Sequence, residues 1–347
     1  MGFLKKLIKN ILPYYVFKKY QAYIGGTIIS RDYDSIKSDI EEMKNQNSVL
    51  LSKIVHTNNW MRNEQIKPSW ISLYESDSAF APGGFYSPIP SIMEIEEFNF
   101  DNLQTKKLLG IDLNDEEQIS LLNSFETFYK DLPFTDEKSE GLRYYYKNDF
   151  YGYSDAILLY CMIRHLKPKK IIEVGSGFSS SVTLDTNEKF MGKSINCVFI
   201  EPYPARLESL LKNDDNVTIH KKWLQEIPIE IFGELNKNDI LFIDSTHVSK
   251  FNSDVNYVLH EILPVLAHGV LIHFHDVIYP FEYPKKWLLE GRAWNEQYIL
   301  RAFLEYNNDF KIVLFNTYLQ EKYMEKIVNR FPLLYKNTGA SIWIKKK

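Results

Sequence analysis

Short apolar runs alternate with amphipathic stretches through residues 141–347. Stretches with helical spacing separate the early runs, as in 253–266, where Val255, Val258 and Ile262 share one face. Strands joined by crossover helices predict an α/β fold: a Rossmann-like, seven-stranded, mostly parallel sheet with helices on both faces. The predicted strands are KIIEV (170–174), CVFIE (197–201), NVTIH (216–220), DILFID (239–244), GVLIHFHD (269–276), FKIVLF (310–315) and ASIWIK (340–345).

Residues 1–65 carry helical patterns and are predicted to form an N-terminal arm outside the sheet domain. Five lysines alternate with apolar side chains in the first twenty residues, a pattern that suits an anionic membrane surface. A helix packed on the body of the protein explains the same pattern. No run reaches the roughly 18 apolar residues of a membrane span. We therefore predict a cytoplasmic protein, with peripheral contact at the inner membrane surface through residues 1–20 as the alternative.

A second pattern in the arm is typical of a coiled coil. Apolar residues recur at alternating spacings of four and three, with Asn47 at an a position. A lone asparagine there fixes the register of two parallel helices, so the pattern predicts a homodimer. An amphipathic helix on a core would give the same spacing over so short a stretch. The seam consists of Ile36, Ile40, Met43, Asn47, Leu50 and Ile54.

Residues 66–140 are predicted to be a loop-rich and helical cap segment that precedes the sheet domain of 141–347. The run AFAPGGFYSPIPS (79–91) is rich in Pro, Gly and aromatic residues, which favours an ordered loop. An acidic amphipathic helix is predicted within 112–130. The loop is a candidate to close over the mouth of a ligand site.

The most informative stretch, IIEVGSGFSSS, follows the first predicted strand. Gly175 and Gly177 permit a tight turn and a close approach of the backbone to a ligand. A dinucleotide fingerprint needs a third glycine where this chain has Ser180, and the Glu173 carboxylate would oppose a pyrophosphate. Glu173 instead suits a ligand with a cationic amino group. Glu201, at the end of the second strand, suits ribose hydroxyls.

Polar side chains follow the fourth and fifth predicted strands, at the edge where open α/β sheets bind ligands. Asp244 and His247 follow the fourth strand, and His275 and Asp276 end the fifth. Alternation along the fifth strand puts His275 on the face opposite to Asp276 as long as strand geometry holds. His273 is predicted to be an internal histidine.

Together these motifs resemble the class I S-adenosylmethionine-dependent methyltransferases, and within them bacterial enzymes associated with tailoring of surface glycans and small molecules. The resemblance covers most of residues 150–347 and rests on IIEVGSGFSS, VFIEPYP, DILFIDSTHVSKFNSDVNYVLHEILPVL, HGVLIHFHDVIYPFEYP and WNEQYILRAFLEYN. It implies that S-adenosylmethionine is the cofactor. Glu173, Gly175 and Gly177 would then hold its methionine moiety, and Glu201 its ribose.

The position that would border the adenine departs from the family. The family often has a Gly-Asp pair there, whereas this chain has Lys222 and Trp223. A hydrogen bond from an aspartate to the adenine amine is therefore not expected. Trp223 would either stack on the adenine or lie in the core.

Methyl transfer to a hydroxyl requires a group that accepts the hydroxyl proton. His247 and His275 are the candidate bases, with Asp244 or Asp276 as the orienting carboxylate. Catechol-type methyltransferases place carboxylates at these strand ends to hold Mg²⁺, and Asp244 and Asp276 fit two of the positions. Val277 replaces the usual third oxygen ligand. A divalent ion on Asp244 and Asp276 is thus the alternative, and the favoured prediction is catalysis without a metal.

The stretch after the fifth strand, residues 277–303, is rich in aromatic residues and proline, as insertions that shape an acceptor pocket often are. Trp287 and Trp294 could stack on a sugar ring, and Tyr298 and Arg301 could donate hydrogen bonds to it. A structural flap with buried tryptophans is the alternative. With the family resemblance, this predicts O-methylation of a carbohydrate or glycosylated small molecule.

Composition narrows the choice of function. The chain of 347 residues has a net charge of −4, which argues against a strongly basic nucleic-acid-binding protein. Cys161 and Cys197 lie in apolar runs and are predicted to be buried thiols. Two rival functions stay open: a nicotinamide-dependent oxidoreductase, and a non-catalytic coiled-coil scaffold with a decayed methyltransferase domain.

Overall fold

The sheet predicted from the sequence is present in the computed structural model, which describes residues 85–105 and 107–347. The segment 1–20 and the seam at 36–54 lie outside the described residues. Seven strands with helices on both faces confirm the predicted fold class. The strands are β1 Lys170–Val174, β2 Asn196–Ile200, β3 Val217–His220, β4 Ile240–Ile243, β5 Leu271–His275, β6 Phe310–Phe315 and β7 Ser341–Lys346.

The strand order is β3-β2-β1-β4-β5-β7-β6, and the first five strands in this order are parallel. Only β7 runs against its neighbours, β5 and β6. The chain builds outward from β1 to β3 and then returns to place β4 on the other side of β1. That reversal opens a crevice at the carboxyl ends of β1 and β4, which is where open α/β sheets bind their ligands.

Helices cover both faces of the sheet because its strands are apolar on both sides. One core forms around Ile171, Phe199 and Phe242, and a separate core on the other face forms around Ile172, Ile243 and Phe274. The α-helices are α1 Ile92–Glu97, α2 Asp115–Ser124, α3 Glu126–Tyr129, α4 Tyr153–Leu166, α5 Phe178–Phe190, α6 Ala205–Leu210, α7 Glu230–Gly233, α8 Asp254–Tyr257, α9 Leu263–Val265, α10 Lys285–Leu289, α11 Glu296–Leu304 and α12 Asn316–Ile327. A π-helical turn, Val258–Ile262, joins α8 to α9, and 3₁₀ turns span Phe100–Thr105, Leu224–Glu226 and Pro332–Tyr335.

A buried ion-pair network fixes α5, the helix that begins at the glycine turn. The Arg143 guanidinium donates to Asp185 at 2.7 Å and to Glu188 at 2.8 Å, both on α5, and also pairs with Asp215. Buried charges are tolerated when they are paired in this way, and removing one partner is strongly destabilising. The network therefore ties α5 to the loop before α4 and to the loop between α6 and β3.

Two further observations concern the cysteines and the lengths of the apolar helices. Cys161 and Cys197 are buried and unpaired, as predicted. A helix able to cross a membrane is absent from the part of the chain that the structure describes.

Candidate active site

A cavity of about 570 Å³ opens at the carboxyl ends of β1, β4 and β5. We call it the catalytic cavity. Its walls come from the loop before α4, the turn after β1, the ends of β2, β4 and β5, and the insertion after β5. Seven residues predicted from the sequence line it, namely Gly175, Gly177, Glu201, Asp244, His275, Asp276 and Trp287.

The turn after β1 is built so that its backbone passes close to the end of β4. Gly175 has φ of +77°, and a Cβ atom at this position would lie 1.7 Å from the carbonyl oxygen of Asp244. No side chain fits in that space, so both the conformation and the contact require glycine. A Cβ at Gly177 would lie 3.2 Å from Cδ of Arg206, another residue of the cavity wall.

Glu173 lies beneath this turn and is fully buried. Its Oε1 accepts hydrogen bonds from the hydroxyls of Ser179 at 2.6 Å and Ser180 at 2.8 Å, while Oε2 has no partner among the described residues. Burial raises the pKa of Glu173 to about 8, and the two serine bonds offset this only in part. Ser180 also accepts from the N–H of Gly177 at 3.0 Å, so it caps α5 where a dinucleotide fingerprint has its third glycine.

Glu201 lines the catalytic cavity, and both of its carboxylate oxygens accept hydrogen bonds from backbone N–H groups. Oε2 accepts from the backbone N–H of Ser176 at 3.1 Å, and Oε1 accepts from that of Tyr203 at 2.8 Å. Trp223 is 50% exposed and contacts the edge of the Tyr203 ring, with centroids 5.7 Å apart. The interpretation of Trp223 as a core residue is therefore wrong, and the residue is not in the wall of the catalytic cavity.

Two residues in left-handed backbone conformation aim the polar side chains at the ends of β4 and β5. His247 has φ of +58° and Asp276 has φ of +55°. Strand geometry therefore ends at Asp276, and its carboxylate turns back to lie 3.6 Å from Nε2 of His247 and 3.7 Å from Nε2 of His275. Alternation had predicted opposite faces for His275 and Asp276, a prediction that holds only inside the strand.

His247 is surrounded by carboxylates. Its Nε2 lies 3.4 Å from Asp244, and its Nδ1 lies 2.8 Å from Glu296, the first residue of α11. Burial lowers the pKa of His247, but hydrogen bonds to Asp244 and Glu296 outweigh it, so the pKa is raised well above its ordinary value. The surrounding carboxylates therefore favour the protonated form of His247.

His275 lines the catalytic cavity directly, and its ring lies against Tyr151, with centroids 5.2 Å apart. Burial lowers the pKa of His275, but the charges of Asp244 and Asp276 raise it by more, so the net direction is upward. For Asp244, burial raises the pKa, but His275 and His247 outweigh it and the net direction is downward. Burial dominates at Asp276, whose pKa is raised.

His273 lies two residues before His275 on β5 and forms no ion pair with the carboxylates of this charge cluster. It is buried, stacks on Phe242 at 4.0 Å between ring centroids, and neither ring nitrogen has a partner among the described residues. Burial lowers its pKa well below the ordinary value, so the ring is neutral. The prediction of an internal histidine is confirmed, but the expectation that its ring nitrogens would be hydrogen-bonded is wrong.

The donor atoms of three site residues are close enough to hold a metal ion. One ligand atom each of Asp244, His247 and Asp276 lies within 4.8 Å of the others. The sequence analysis named the two aspartates for this alternative and missed His247 as a third donor. The mixed oxygen and nitrogen set fits a divalent cation.

The insertion after β5 reaches the site, but not with every residue predicted for it. Trp287 lines the catalytic cavity, whereas Trp294 lies on His247, with ring centroids 4.5 Å apart. Trp294 and Tyr298 line a second cavity of about 630 Å³. Arg301 lines neither cavity and instead bonds to Glu305 on its own helix at 3.1 Å.

Several functional candidates escaped the sequence analysis. Arg292 lies in the wall of both cavities, over the rings of Trp287 at 4.6 Å and Trp294 at 4.9 Å. Glu296 and Tyr151 contact the two histidines from distant parts of the chain. Glu296 follows Trp294 by two residues, which is a weak signal in the sequence. No local sequence pattern marks Tyr151.

Comparison with known proteins finds a family model that matches part of the chain. The model of a methyltransferase domain matches residues 172–277. An uncharacterized protein of Archaeoglobus fulgidus is 36% identical over 172 residues, which cover 48% of this chain and 78% of that protein. The matched part of the chain is a methyltransferase domain, and this match supports a class I S-adenosylmethionine-dependent methyltransferase.

Solved structures of methyltransferases also match. A SAH-bound Podospora anserina methyltransferase is 14% identical, with a TM-score of 0.36, and the match covers 70% of this chain and 99% of that one. A methyltransferase from Geobacter sulfurreducens is 16% identical, with a TM-score of 0.33, and the match covers 66% and 88% of the two chains.

The first prediction concerns the glycine turn. Gly175→Ala should lower the free energy of unfolding by at least about 2 kcal/mol, because left-handed strain and a backbone clash add together. Gly141→Ala is the matched control, since Gly141 has φ of +80° but open space around its Cβ position. Urea denaturation of both variants measures the difference. Equal losses would show that the contact with Asp244 does not constrain the turn.

The second prediction concerns Glu173. Its pKa is about 8 in the folded protein against an ordinary 4.5, so between these values the folded state holds a proton that the unfolded chain has lost. Stability therefore falls as pH rises through this window, by at most roughly 1.4 kcal/mol per pH unit from this group. Glu173→Gln should flatten the dependence measured by urea denaturation from pH 5 to 8. An unchanged slope would mean that Glu173 ionises normally.

Proposed function

We propose that this protein transfers the methyl group of S-adenosylmethionine to a hydroxyl oxygen of a carbohydrate or glycosylated small molecule. The observation that carries the proposal is the cluster of His247, His275 and three carboxylates beside the glycine turn. A hydroxyl acceptor must lose a proton as the new bond forms, and a histidine held by carboxylates can take it.

The cofactor site is assigned to the turn and the acids around it. The close approach of the Gly175 backbone to Asp244 leaves a cradle that a side chain would fill, and Glu201 presents an oriented carboxylate to the cavity. The unpartnered oxygen of buried Glu173 supports a role toward a cationic amino group, acting from beneath the turn. S-adenosylmethionine supplies a methyl group already activated by a positive sulfur. The protein therefore has to position the acceptor and accept its proton.

His247 is the better oriented of the two candidate bases. Glu296 holds Nδ1 at 2.8 Å, so Nε2 is the nitrogen directed toward Asp244 and Asp276 at the cavity wall. A carboxylate on one ring nitrogen fixes the tautomer and orients the other nitrogen for proton transfer. The raised pKa means that His247 must first lose a proton, so activity should need a higher pH than an ordinary histidine would require.

The alternative role for the same residues is metal binding. Asp244, His247 and Asp276 would hold the ion, which would stabilise a deprotonated acceptor oxygen. In that case His247 is a ligand and is no longer available as the base. We favour the metal-free assignment because Val277 stands where the usual third oxygen ligand would be. The contact with Glu296 suits either role, since a metal-bound histidine also commonly bonds a carboxylate through its other ring nitrogen.

The homodimer through the seam at 36–54 and membrane contact through residues 1–20 stay predictions, because those residues lie outside the described part of the chain. The cytoplasmic location is also a prediction. No contact described above favours the oxidoreductase or the scaffold.

The third prediction tests the cofactor assignment. Glu201→Ala should weaken the binding of S-adenosylhomocysteine by roughly 1.5–3 kcal/mol, the range for hydrogen bonds to a charged group. Glu208→Ala is the control, since this exposed glutamate on α6 pairs with Lys221 outside the cavity. Isothermal titration calorimetry measures both. Unchanged affinity in the first variant would remove Glu201 from the site.

The fourth prediction identifies the base. His247→Asn should lower kcat by about 10²–10⁴ without changing S-adenosylhomocysteine affinity, and His275→Asn should cost less. Transfer from radiolabelled S-adenosylmethionine to a panel of glycosides gives the rates. The wild-type pH–rate profile should rise above the ordinary histidine pKa of about 6.5. The physical reason is that the neighbouring carboxylates raise the pKa of both histidines.

Two controls separate the alternatives for this site. Glu296→Gln removes the carboxylate from Nδ1 of His247, so it should lower kcat and move the rise of the pH profile to lower pH. A profile unchanged in position would point to His275 instead. Loss of activity in EDTA with recovery in Mg²⁺ would make Asp244, His247 and Asp276 metal ligands.

A further inference from the structure

The second cavity lies beside the catalytic cavity and differs from it in chemistry. Apolar and aromatic side chains from residues 85–100 and from the insertion after β5 form most of its walls. The catalytic cavity is lined mainly by charged and hydroxyl-bearing residues. Representative apolar wall residues of the second cavity are Phe85, Ile95, Phe98, Phe100, Leu288 and Trp294.

Several polar side chains of the second cavity already have partners. The Glu94 carboxylate accepts from the backbone N–H of Ser91 at 2.6 Å, within the cap of α1. The side-chain oxygen of Asn295 accepts from the backbone N–H of Ser249 at 2.6 Å, and its side-chain nitrogen donates to the Ser249 carbonyl oxygen at 3.1 Å. A carbohydrate buried here would lose its bonds to water and find few replacements, whereas an apolar group would lose nothing.

Two further polar residues of the wall lie beside charged or aromatic groups. Burial raises the pKa of Tyr298, and the nearby Glu282 carboxylate adds to this. Arg292 bonds to Glu290 at 3.1 Å and covers two tryptophan rings. The cavity volume of about 630 Å³ is within the range of small-molecule sites, which spans roughly 300–1,000 Å³.

The two cavities share a wall at the place where the proposed chemistry occurs. Arg292 lines both, and Trp294 faces the second cavity while its ring rests on His247. His247 itself lines neither cavity, but its neighbours Asp244 and Asp276 line the catalytic cavity. An acceptor whose hydroxyl reaches this cluster could extend past the shared wall residue Arg292 into the second cavity. The loop predicted to close over a ligand site supplies Phe85, and α1 after it packs against α10.

We infer that the acceptor is amphiphilic: a hydroxyl-bearing part reaches the catalytic cavity, and an aromatic or acyl part occupies the second cavity. The inference rests on the proposed function for the position of the methylated hydroxyl. The apolar site itself can be tested without methyl transfer, so the two proposals fail separately.

The fifth prediction uses the neutral apolar dye N-phenyl-1-naphthylamine as a probe of the full chain. Its fluorescence should rise with saturation as it enters the second cavity. Leu288→Glu and Phe98→Glu should each weaken dye binding about tenfold or more, because each puts a charge on an apolar wall. Phe98 is 44% exposed, so a charge there is compatible with folding. The Phe98→Glu variant therefore keeps the test valid if Leu288→Glu fails to fold. Met324→Glu is the control, with a comparably exposed side chain (52%) that lines neither cavity.

Competition locates the dye. Saturating S-adenosylhomocysteine should change the affinity for the dye by less than about twofold, because the two cavities are separate spaces with one shared wall. Displacement of the dye would place it in the catalytic cavity and overturn the inference. So would the absence of saturable fluorescence, or equal dye affinity in all three variants. Failure of S-adenosylhomocysteine to bind at all would instead count against the proposed function.

Discussion

The carbonyl oxygen of Asp244 occupies the space where a side chain at position 175 would begin. This contact joins the turn after β1 to the end of β4, the two points between which the strand order of the sheet reverses. The turn therefore forms one side of the catalytic cavity, and the Asp244 side chain forms another. Any residue larger than glycine would push the two strand ends apart and separate the assigned cofactor turn from the charge cluster.

The charge cluster depends on this closeness. Two histidines and the carboxylates of Asp244, Asp276 and Glu296 share a small, largely buried volume. Carboxylates raise the pKa of both histidines, and the histidines in turn hold that of Asp244 down. Opposite charges thus stabilise each other where isolated charges would be expelled. A cationic sulfur or a metal ion brought to the same carboxylates would compete with the histidines for them.

Sequence reasoning located the sheet and most of the cavity because those features depend on local patterns. Apolar runs fixed the positions of the strands to within about two residues, in line with the uncertainty of helix and strand ends. Glycines and acids at strand ends were visible for the same reason, as Gly175 and Glu201 illustrate. Contacts between distant segments were not visible. Glu296 reaches His247 across 49 residues, and Arg143 reaches Asp215 across 72.

Two other differences have a local physical cause. The left-handed backbone at Asp276 ends the alternation of β5, and period-two reasoning cannot anticipate that reversal. Arg301 was expected to contact the acceptor, but the i,i+4 geometry of α11 places Glu305 within its reach. The second cavity depends on contacts between residues 85–100 and the insertion after β5, and neither segment shows this on its own.

The most direct test of the account is a crystal structure of the full chain with S-adenosylhomocysteine bound. We expect the ligand along the Gly175–Gly177 turn, with its ribose hydroxyls on Glu201 and its sulfur directed toward Asp244 and His275. A ligand bound in the second cavity, or one whose sulfur points away from the charge cluster, would contradict the account.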